Sequence, residues 1–366
     1  MPTYKQIFTT KMNALADSIN SKAGTSGDMS IDEMKEAVDG IQTGGDLPEL
    51  TNPASASDIL DGKEAIDGNG DKITGTLVPP VDTGENGLYK SMIEENVTEI
   101  VSTQITKLRP YAQYGNTNLV KIDIPNLTSV WASAFQRCSK LTGIIDFRSA
   151  AIKDFYPFQL SLQRTVIWMG NLYSYLFRDS GMAHLYTPNA TASGGQVIWV
   201  TNFLKTFQVD KLTNMDNIFF NIAPNLDTVI IRTPTLCTNS SSIINAAKFT
   251  SGVGKFYVPT NLLASYSSAT NWITWYNSGQ IIGIDEDTTC AVGDTFTPTT
   301  TATGIDHWDK VDLQSYSVGT IDTTTGAVTT TTDGRLLIRG LDASDNILHV
   351  TYLQIGTGFN EAANLA

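Results

Sequence analysis

The chain has 366 residues, of which 41% are hydrophobic and only 17% are charged, and its formal net charge is −13. This length exceeds what one hydrophobic core supports and predicts about two to four domains. The negative charge argues against nucleic-acid binding, which needs clustered Lys and Arg. The cysteines, Cys138, Cys237 and Cys290, are widely spaced and predict neither a disulfide framework nor a zinc site. Cys138 is expected in the core.

The charge is unevenly distributed, and the sequence carries no membrane signal. Residues 285–366 contain 12 acidic and 3 basic side chains, a net charge of −9. We expect this acidic surface to be solvated and to keep copies of the protein apart. The start of the chain lacks an apolar signal segment, and no run of about 18 apolar residues follows. We therefore expect that the protein does not insert into a membrane. We also expect that it is synthesised without a signal peptide.

Residues 1–45 are predicted to form two short helices. Apolar residues from Phe8 to Ile19 recur at the spacing of one helical face. A capping box from Ser30 to Glu33 begins the second helix. Two helices of this length bury too little apolar area to be stable alone. We therefore expect this segment to dock on a partner protein or on copies of the chain.

Residues 46–87 are predicted to be a linker followed by a β-hairpin. Ile66 and Ile73 lie on either side of a Gly-Asn-Gly turn. Asp67–Asp71 also resembles the start of a calcium loop, but an EF-hand needs glycine and glutamate where lysine and valine stand. The hairpin is therefore favoured, and no metal site is predicted.

Two segments of the chain can be aligned with each other at a constant offset of 22 residues. Leu108–Ile122 matches Val130–Ile144, and the paired positions 108/130, 112/134, 119/141 and 122/144 are all small or aliphatic. The offset falls within the range of about 20–29 residues that is typical of a leucine-rich solenoid. One repeat cannot bury its apolar face alone, so stacked neighbours share a core and form an extended surface. Such a surface favours binding over catalysis.

The repeat region is predicted to extend from residue 88 to 284, with about three recognisable units. Its period becomes irregular between residues 150 and 215, which we interpret as insertions on one face of the solenoid. A helix over Asn261–Trp272 is expected to cap the open end. Residues 285–366 change to short strands separated by turns, which predicts a small β-sandwich.

Several motifs resemble known families. The second repeat unit resembles the BspA type of leucine-rich repeat, and the residues that carry the match are Val130, Ala134, Phe135, Cys138, Leu141 and Ile144. The first unit departs from that pattern at Gln113 and Asn116. Asp58–Leu77 is similar to a short module of tail proteins in phages of Gram-positive hosts. Val292–Phe296 and Gly319–Thr329 resemble bacterial immunoglobulin-like domains.

Together these resemblances imply a multidomain α+β protein. Its parts would be N-terminal short helices at 1–45, a linker with a β-hairpin spacer at 46–87, a short leucine-rich repeat solenoid with an end cap at 88–284, and an immunoglobulin-like β-sandwich at 285–366. The order of the modules implies a phage tail fibre or a related virion appendage. By analogy with such fibres we expect a homo-oligomer, often a trimer, in which avidity strengthens weak contacts.

Catalytic motifs are missing from the sequence. Its three histidines, His184, His307 and His349, form no H-x-x-x-H pair, and no nucleophile elbow or Walker-type glycine loop occurs. A glycan hydrolase needs only two carboxylates, so a host-polysaccharide depolymerase stays an alternative. We expect a non-enzymatic protein without a cofactor.

Aromatic residues crowd the region where the repeat becomes irregular. Aromatic rings stack on sugar faces and dominate binding energies at protein interfaces. The alternative for any one ring is that it fills an irregular core. The candidate receptor-contact residues are Trp168, Tyr173, Tyr175, Phe177 and Tyr186.

The expected function is therefore that of a virion adhesion protein, made in the host cytoplasm. Its N-terminal helices would bind other virion proteins, and its repeat and C-terminal domains would recognise a host cell-surface glycan or protein. The alternatives are a head or neck decoration protein without a receptor role, a bacterial surface repeat protein, and the depolymerase.

Overall fold

A computed structural model describes residues 64–66, 72–74, 87–88, 97–147, 150–152, 156–215, 219–239 and 244–365. Contacts divide the chain into two compact units, Met1–Val78 and Pro79–Ala366. Neither the predicted N-terminal helices nor the loop Asp67–Asp71 falls within the described residues.

The first unit contains a β-hairpin where the Gly-Asn-Gly turn predicted one. Its strands, Glu64–Ile66 and Lys72–Thr74, pair antiparallel with Ala65 opposite Ile73.

Most of the second unit is a parallel β-solenoid. Each turn contributes to three stacks of backbone hydrogen bonds, which we name faces A, B and C in chain order. Equivalent positions in successive turns are about one repeat apart in the sequence. For example, Thr206 pairs with His184 of the preceding turn and with Thr228 of the following turn. The solenoid has about eight turns.

Face A is the longest stack in the described part of the chain. A hydrogen bond of 3.1 Å from Thr142 N–H to Val120 O links its first two strands to the rest. Its strands are Glu99–Val101, Lys121–Asp123, Gly143–Ile145, Gln163–Trp168, Gly181–Thr187, Thr206–Val209, Thr228–Ile231, Lys255–Pro259 and Ile281–Ile284.

Faces B and C consist of shorter strands. An isolated bridge between Leu172 and Ser193 continues face B. Early turns of face C are joined by single hydrogen bonds, such as Arg137 N–H to Gln159 O at 2.9 Å. The strands of face B are Gly87–Leu88, Lys107–Leu108, Ser129–Val130, Ala151–Ile152, Asn214–Met215 and Thr238–Asn239. Those of face C are Ile198–Trp199, Phe220–Asn221 and Ile244–Asn245.

Two corners with left-handed backbone bound face C in each turn. The first corner is at Tyr111, Ser133, Tyr156, Tyr175 and Gln196, with φ between 55° and 62°. The second is at Gly115, Arg137, Leu160, Asp179, Val200 and Ile222, with φ between 52° and 78°. Left-handed backbone is unfavourable for most residue types other than glycine, above all for β-branched Val200 and Ile222. Contacts between turns, rather than local preference, therefore hold these corners.

The repeat pairs read from the sequence are mostly core positions. Both members of the pairs 108/130, 112/134 and 119/141 are fully buried, as is Cys138. The fourth pair differs, because Ile122 is buried whereas Ile144 is 45% exposed and Ile145 points into the core. Side chains alternate between the two sides of a strand, so a shift of a single position exchanges inside and outside.

The region with the irregular period contains regular turns, so our interpretation of insertions there is wrong. His184 pairs with Thr165, and the register shifts between Arg164 and Thr165. The turn that joins these two residues is shorter than its neighbours. The constant offset is therefore lost in the sequence, although the stacking continues.

Helices lie at the far end of the solenoid, in the segment where the sequence predicted a cap. Buried Trp272 donates from Nε1 to Cys237 O at 2.7 Å, and Cys237 N–H donates to the Tyr266 hydroxyl at 3.2 Å. The helical segments in this region are Ala247–Thr250, the 3₁₀ turn Thr260–Leu262, Leu263–Ser268 and Ile273–Asn277.

Two small sheets follow the solenoid. The four-stranded sheet is ordered Glu286–Cys290, Ile347–Ile355, Gly334–Leu341 and His307–Asp312. The three-stranded sheet is ordered Thr295–Phe296, Val328–Thr330 and Gly319–Ile321, and a last helix covers Glu361–Leu365. One side of the four-stranded sheet packs on Val318 and Val328. Its other side packs on face A, where Leu337, Val350 and Tyr352 share a core with Ile230, Tyr257 and Ile284.

The predicted fold class is therefore wrong. The chain is mostly β, its solenoid has about eight turns, and the C-terminal sheets are not an immunoglobulin-like sandwich following a short leucine-rich array. Face A explains the difference: Val229 and Ile231 point into the solenoid while Ile230 points outward. A parallel sheet that is apolar on both sides must be covered on both sides, and the four-stranded C-terminal sheet provides the outer cover.

Candidate binding surface

Face A, the longest stack of strands, is closed to external ligands over much of its length because the C-terminal sheets lie on it. Gln208 Nε2 donates to the Tyr352 hydroxyl at 2.9 Å, and Arg339 Nη1 donates to the Tyr257 hydroxyl at 3.2 Å. Polar and apolar contacts both cross this interface, so it forms one continuous packed layer.

Arg335 lies at the centre of this layer and is only 1% exposed. Its guanidinium carbon lies 3.8 Å from the centre of the Tyr186 ring. Nε donates to Gly358 O at 3.1 Å and Nη1 to Gln208 Oε1 at 3.3 Å, whereas Nη2 has no hydrogen-bond partner among the described residues. The cation is thus held by a ring and neutral oxygens inside the protein.

His184 gives face A a dependence on pH. Its Nδ1 lies 2.9 Å from Thr206 Oγ1. Burial, together with the positive charges of Lys205 and Arg335, lowers the pKa of His184 from its ordinary 6.5 to about 3. Between these values the unfolded chain binds a proton that the folded chain does not. Stability present above pH 6.5 is therefore lost as the pH falls toward about 3, by at most about 1.4 kcal/mol per pH unit.

We expect His184→Gln to reduce this acid sensitivity. Glutamine retains hydrogen bonding and does not titrate, so the free energy of unfolding should fall less steeply between pH 6.5 and 4 than in the wild type. Urea denaturation at a series of pH values measures the slope, and His307→Gln, at a half-buried histidine outside face A, serves as the control. Equal slopes for wild type and His184→Gln would contradict the assignment.

Four side chains from three consecutive turns meet on face C and form what we name the aromatic–arginine cluster: Tyr156, Tyr175, Arg178 and Trp199. The Arg178 guanidinium carbon lies 4.9 Å from the Tyr156 ring centre and 5.2 Å from that of Trp199. Tyr175 lies 5.5 Å from Tyr156 and 5.0 Å from Trp199, between ring centres. All four are partly exposed. Contacts within the cluster restrict these side chains before any ligand arrives.

The same face continues toward the start of the solenoid. The Arg137 guanidinium carbon lies 5.7 Å from the Tyr114 ring centre, and Tyr114 packs edge-on against Tyr111. Amide and carboxylate groups form a ladder beside the rings: Gln136 Nε2 donates to Gln159 Oε1 at 2.9 Å, and Gln159 Nε2 to Asp179 Oδ2 at 3.1 Å. Face C therefore offers aromatic, cationic and amide groups in adjacent rows.

Apolar side chains extend this surface. Leu160, Phe203 and Ile222 are all exposed, and Phe203 is 63% exposed. Leu160 and Ile222 occupy the second left-handed corner, two positions where the backbone already disfavours a large side chain. Exposed apolar groups next to aromatic rings are typical of interaction surfaces.

The five candidate contact residues fall in three different places. Trp168 and Phe177 are fully buried in the solenoid core. Tyr186 is on face A, where its hydroxyl donates to Asp210 Oδ2 at 2.6 Å and its ring lies under Arg335. Tyr173 is 36% exposed, and Tyr175 belongs to the aromatic–arginine cluster. Of these five residues, Tyr175 belongs to the exposed cluster, whereas Trp168 and Phe177 belong to the core.

Sequence reasoning did not select Tyr156, Arg178 or Trp199. What these residues share is their position within the turn, which brings them together in successive turns. Asp179 N–H donates to Trp199 O at 2.8 Å, so Arg178 and Trp199 lie in neighbouring turns. Tyr156 and Tyr175 occupy the same corner of neighbouring turns. A search for aromatic and arginine residues that recur once per turn would have found them, provided that it allowed for the short turn.

The described residues show no metal-binding group and no readily ionised buried cysteine. No three His, Cys, Asp or Glu side chains among them are grouped to hold a metal ion. Burial raises the pKa of the Cys138 and Cys237 thiols to about 12, so neither ionises to a nucleophilic thiolate near neutral pH. In this part of the chain, moreover, no helix is long and apolar enough to cross a membrane.

The fold and this surface define a repeat-containing β-solenoid with an exposed aromatic face, and they confirm the repeat architecture predicted from the constant offset. Among solved structures, the crystal structure of pneumococcal vaccine antigen PcpA is similar, with a TM-score of 0.37 and 14% sequence identity. The alignment covers 59% of this chain and 47% of that chain, so this chain spans about half the length of PcpA. No protein-family model and no curated protein matches the sequence.

Proposed function

We propose that the chain is a non-enzymatic attachment protein that binds its ligand through face C. The observation that carries this proposal is the aromatic–arginine cluster, in which side chains from three turns converge on the outside of the solenoid. Face A is occupied by the C-terminal sheets of the same chain. Tyr, Trp and Arg are also the residue types that contribute most to binding energy at interfaces.

We also propose that the protein belongs to a phage particle, as a tail fibre or a related appendage. Support comes from the resemblance of Asp58–Leu77 to a tail-protein module. In this arrangement residues 1–45 bind other virion proteins, the solenoid reaches the host surface, and the chain assembles as a homo-oligomer. Gold labelling of assembled particles separates a tail position from a head or neck position, and native mass determination gives the number of copies.

Replacing two rings of the cluster should abolish most binding. We expect Tyr175→Ala combined with Trp199→Ala to weaken binding by about tenfold or more, because the rings supply contact area and hold Arg178 in place. Binding of the labelled full-length protein to intact bacterial cells and to an array of bacterial surface glycans is the measurement.

Tyr276→Ala is the matched control, since Tyr276 is 37% exposed on a capping helix. Circular dichroism and thermal unfolding establish that the double variant is folded. A folded double variant that binds as well as the wild type would remove face C as the contact surface. Loss of polymer viscosity on incubation with pure protein would instead support the depolymerase alternative.

A further inference from the structure

The solenoid is basic within an acidic chain. Residues 87–284 contain 15 Lys or Arg and 10 Asp or Glu, a net charge of +5, whereas the whole chain carries −13. The rest of the chain therefore carries −18. Such segregation creates a local field that attracts anions although the protein as a whole is negative.

On face A the positive charges are largely matched by acidic side chains. Arg232 Nε lies 2.9 Å from Asp287 Oδ2, and its Nη1 lies 3.2 Å from Asp210 Oδ2. Lys121 Nζ lies 3.2 Å from Glu361 Oε2. These pairs belong to the covered layer, and Arg335, which has no acidic partner among the described residues of that layer, is buried and closed to an external ligand.

On face C, Arg178 also has an acidic neighbour, whereas Arg137 has no carboxylate within ion-pair distance among the described residues. That neighbour is Asp179, whose Oδ2 lies 3.3 Å from Arg178 Nε. A guanidinium has five N–H donors, and Arg178 Nε is buried and makes no hydrogen bond in this contact. The two rings on either side of Arg178 fix its plane. A planar guanidinium held in one orientation is suited to paired hydrogen bonds with a carboxylate.

We propose that face C binds an acidic polysaccharide, a linear chain with carboxylate-bearing sugars that lies along the solenoid axis. This inference rests on the proposed function and adds the ligand class. Arg137 and Arg178 would bind carboxylates, the amides of Gln136 and Gln159 would bind hydroxyls, and the rings of the cluster would contact sugar faces. Turns stack at about 4.8 Å, so a repeating polymer meets similar groups at regular intervals.

The charge density favours a polysaccharide over a nucleic acid. Duplex DNA carries one charge per about 1.7 Å and is bound by dense basic clusters. Face C presents Arg137 and Arg178 two turns apart, and the net charge of −9 over residues 285–366, in the same unit, repels a polyphosphate. A polymer with sparser charge and many hydroxyls matches the mixture of arginine and amide groups.

The test compares polymers that differ only in charge. Binding of full-length protein to polygalacturonate, alginate and hyaluronate is measured by biolayer interferometry, and each is compared with its methyl-esterified form. We expect binding to at least one acidic polymer and loss of binding on esterification. Arg137→Gln combined with Arg178→Gln should weaken this binding by about tenfold or more. Lys211→Gln, which removes an exposed charge near Asn189, should not change it.

The results separate the ligand class from the surface. The ligand class is overturned by absence of binding to all three acidic polymers, by equal binding of the esterified forms, or by tighter binding of single-stranded DNA. It is also overturned if the double arginine variant binds normally. The assignment of face C as the binding surface is supported if the Tyr175 and Trp199 double variant still loses cell binding. It is contradicted if that variant binds normally.

Discussion

Replacing Trp168 by alanine is expected to lower the free energy of unfolding by about 3–5 kcal/mol. The indole is fully buried, and its ring centre lies 5.4 Å from Phe147, 5.6 Å from Phe158 and 5.6 Å from Phe177 in edge-to-face contacts. Its Nε1 donates to Asn171 O at 2.9 Å. Alanine would leave a cavity between several turns and an unsatisfied carbonyl group, and both effects destabilise the fold.

Tyr173→Ala is the matched control, because Tyr173 is an aromatic residue at the surface nearby. We expect its effect to be below about 1 kcal/mol. Urea denaturation followed by tryptophan fluorescence and by circular dichroism measures both variants. Similar unfolding midpoints for the two would show that Trp168 is not a core residue.

Replacing Arg335 by alanine is expected to cost about 2–4 kcal/mol. The change removes the hydrogen bonds to Gly358 O and Gln208 Oε1 and the contact with the Tyr186 ring. It also leaves a cavity between face A and the C-terminal sheets. Because Tyr186 and Gln208 lie on neighbouring strands of face A, the loss should loosen the interface between the solenoid and the four-stranded sheet.

Arg335→Met separates volume from hydrogen bonding. Methionine fills most of the space and carries no N–H group, so the desolvation penalty of the unpaired Nη2 disappears together with the hydrogen bonds. We expect Arg335→Met to be clearly more stable than Arg335→Ala in thermal and urea unfolding. An alanine variant as stable as the wild type would mean that this arginine does not hold the interface.

Much of the solenoid was predictable from the sequence, but its extent was not. The pairs 108/130, 112/134 and 119/141 predicted buried positions, and Asn261–Trp272 predicted the cap. The turns between residues 150 and 215 were not recognised in the sequence for two reasons. The turn from Thr165 to His184 is shorter than the others, and left-handed corners are occupied by residues such as Leu160 and Val200. Glycine at those corners would have marked each turn, whereas other residues give no such signal.

The binding surface was predictable only in part. The sequence selected Tyr175 together with Trp168 and Phe177, because all three are aromatic residues close together in the sequence. Closeness in sequence does not show which side chains of a turn point into the core and which point outward. A single residue separates the partly exposed Tyr175 from the buried Phe177. The partners of Tyr175, by contrast, come from neighbouring turns, so they are distant in sequence and adjacent in space.

The covering of face A changes how the solenoid holds together. In a simple repeat array each unit contacts only its neighbours, so the ends can fray one repeat at a time. Here the C-terminal segment touches turns far apart: Glu361 reaches Lys121, Asn364 reaches Thr142, Asp287 reaches Arg232 and Arg339 reaches Tyr257. The C-terminal segment therefore links turns that do not touch each other. A turn in the middle cannot open without breaking its contacts with this segment, which also contacts distant turns. We therefore expect the turns to unfold together rather than one repeat at a time.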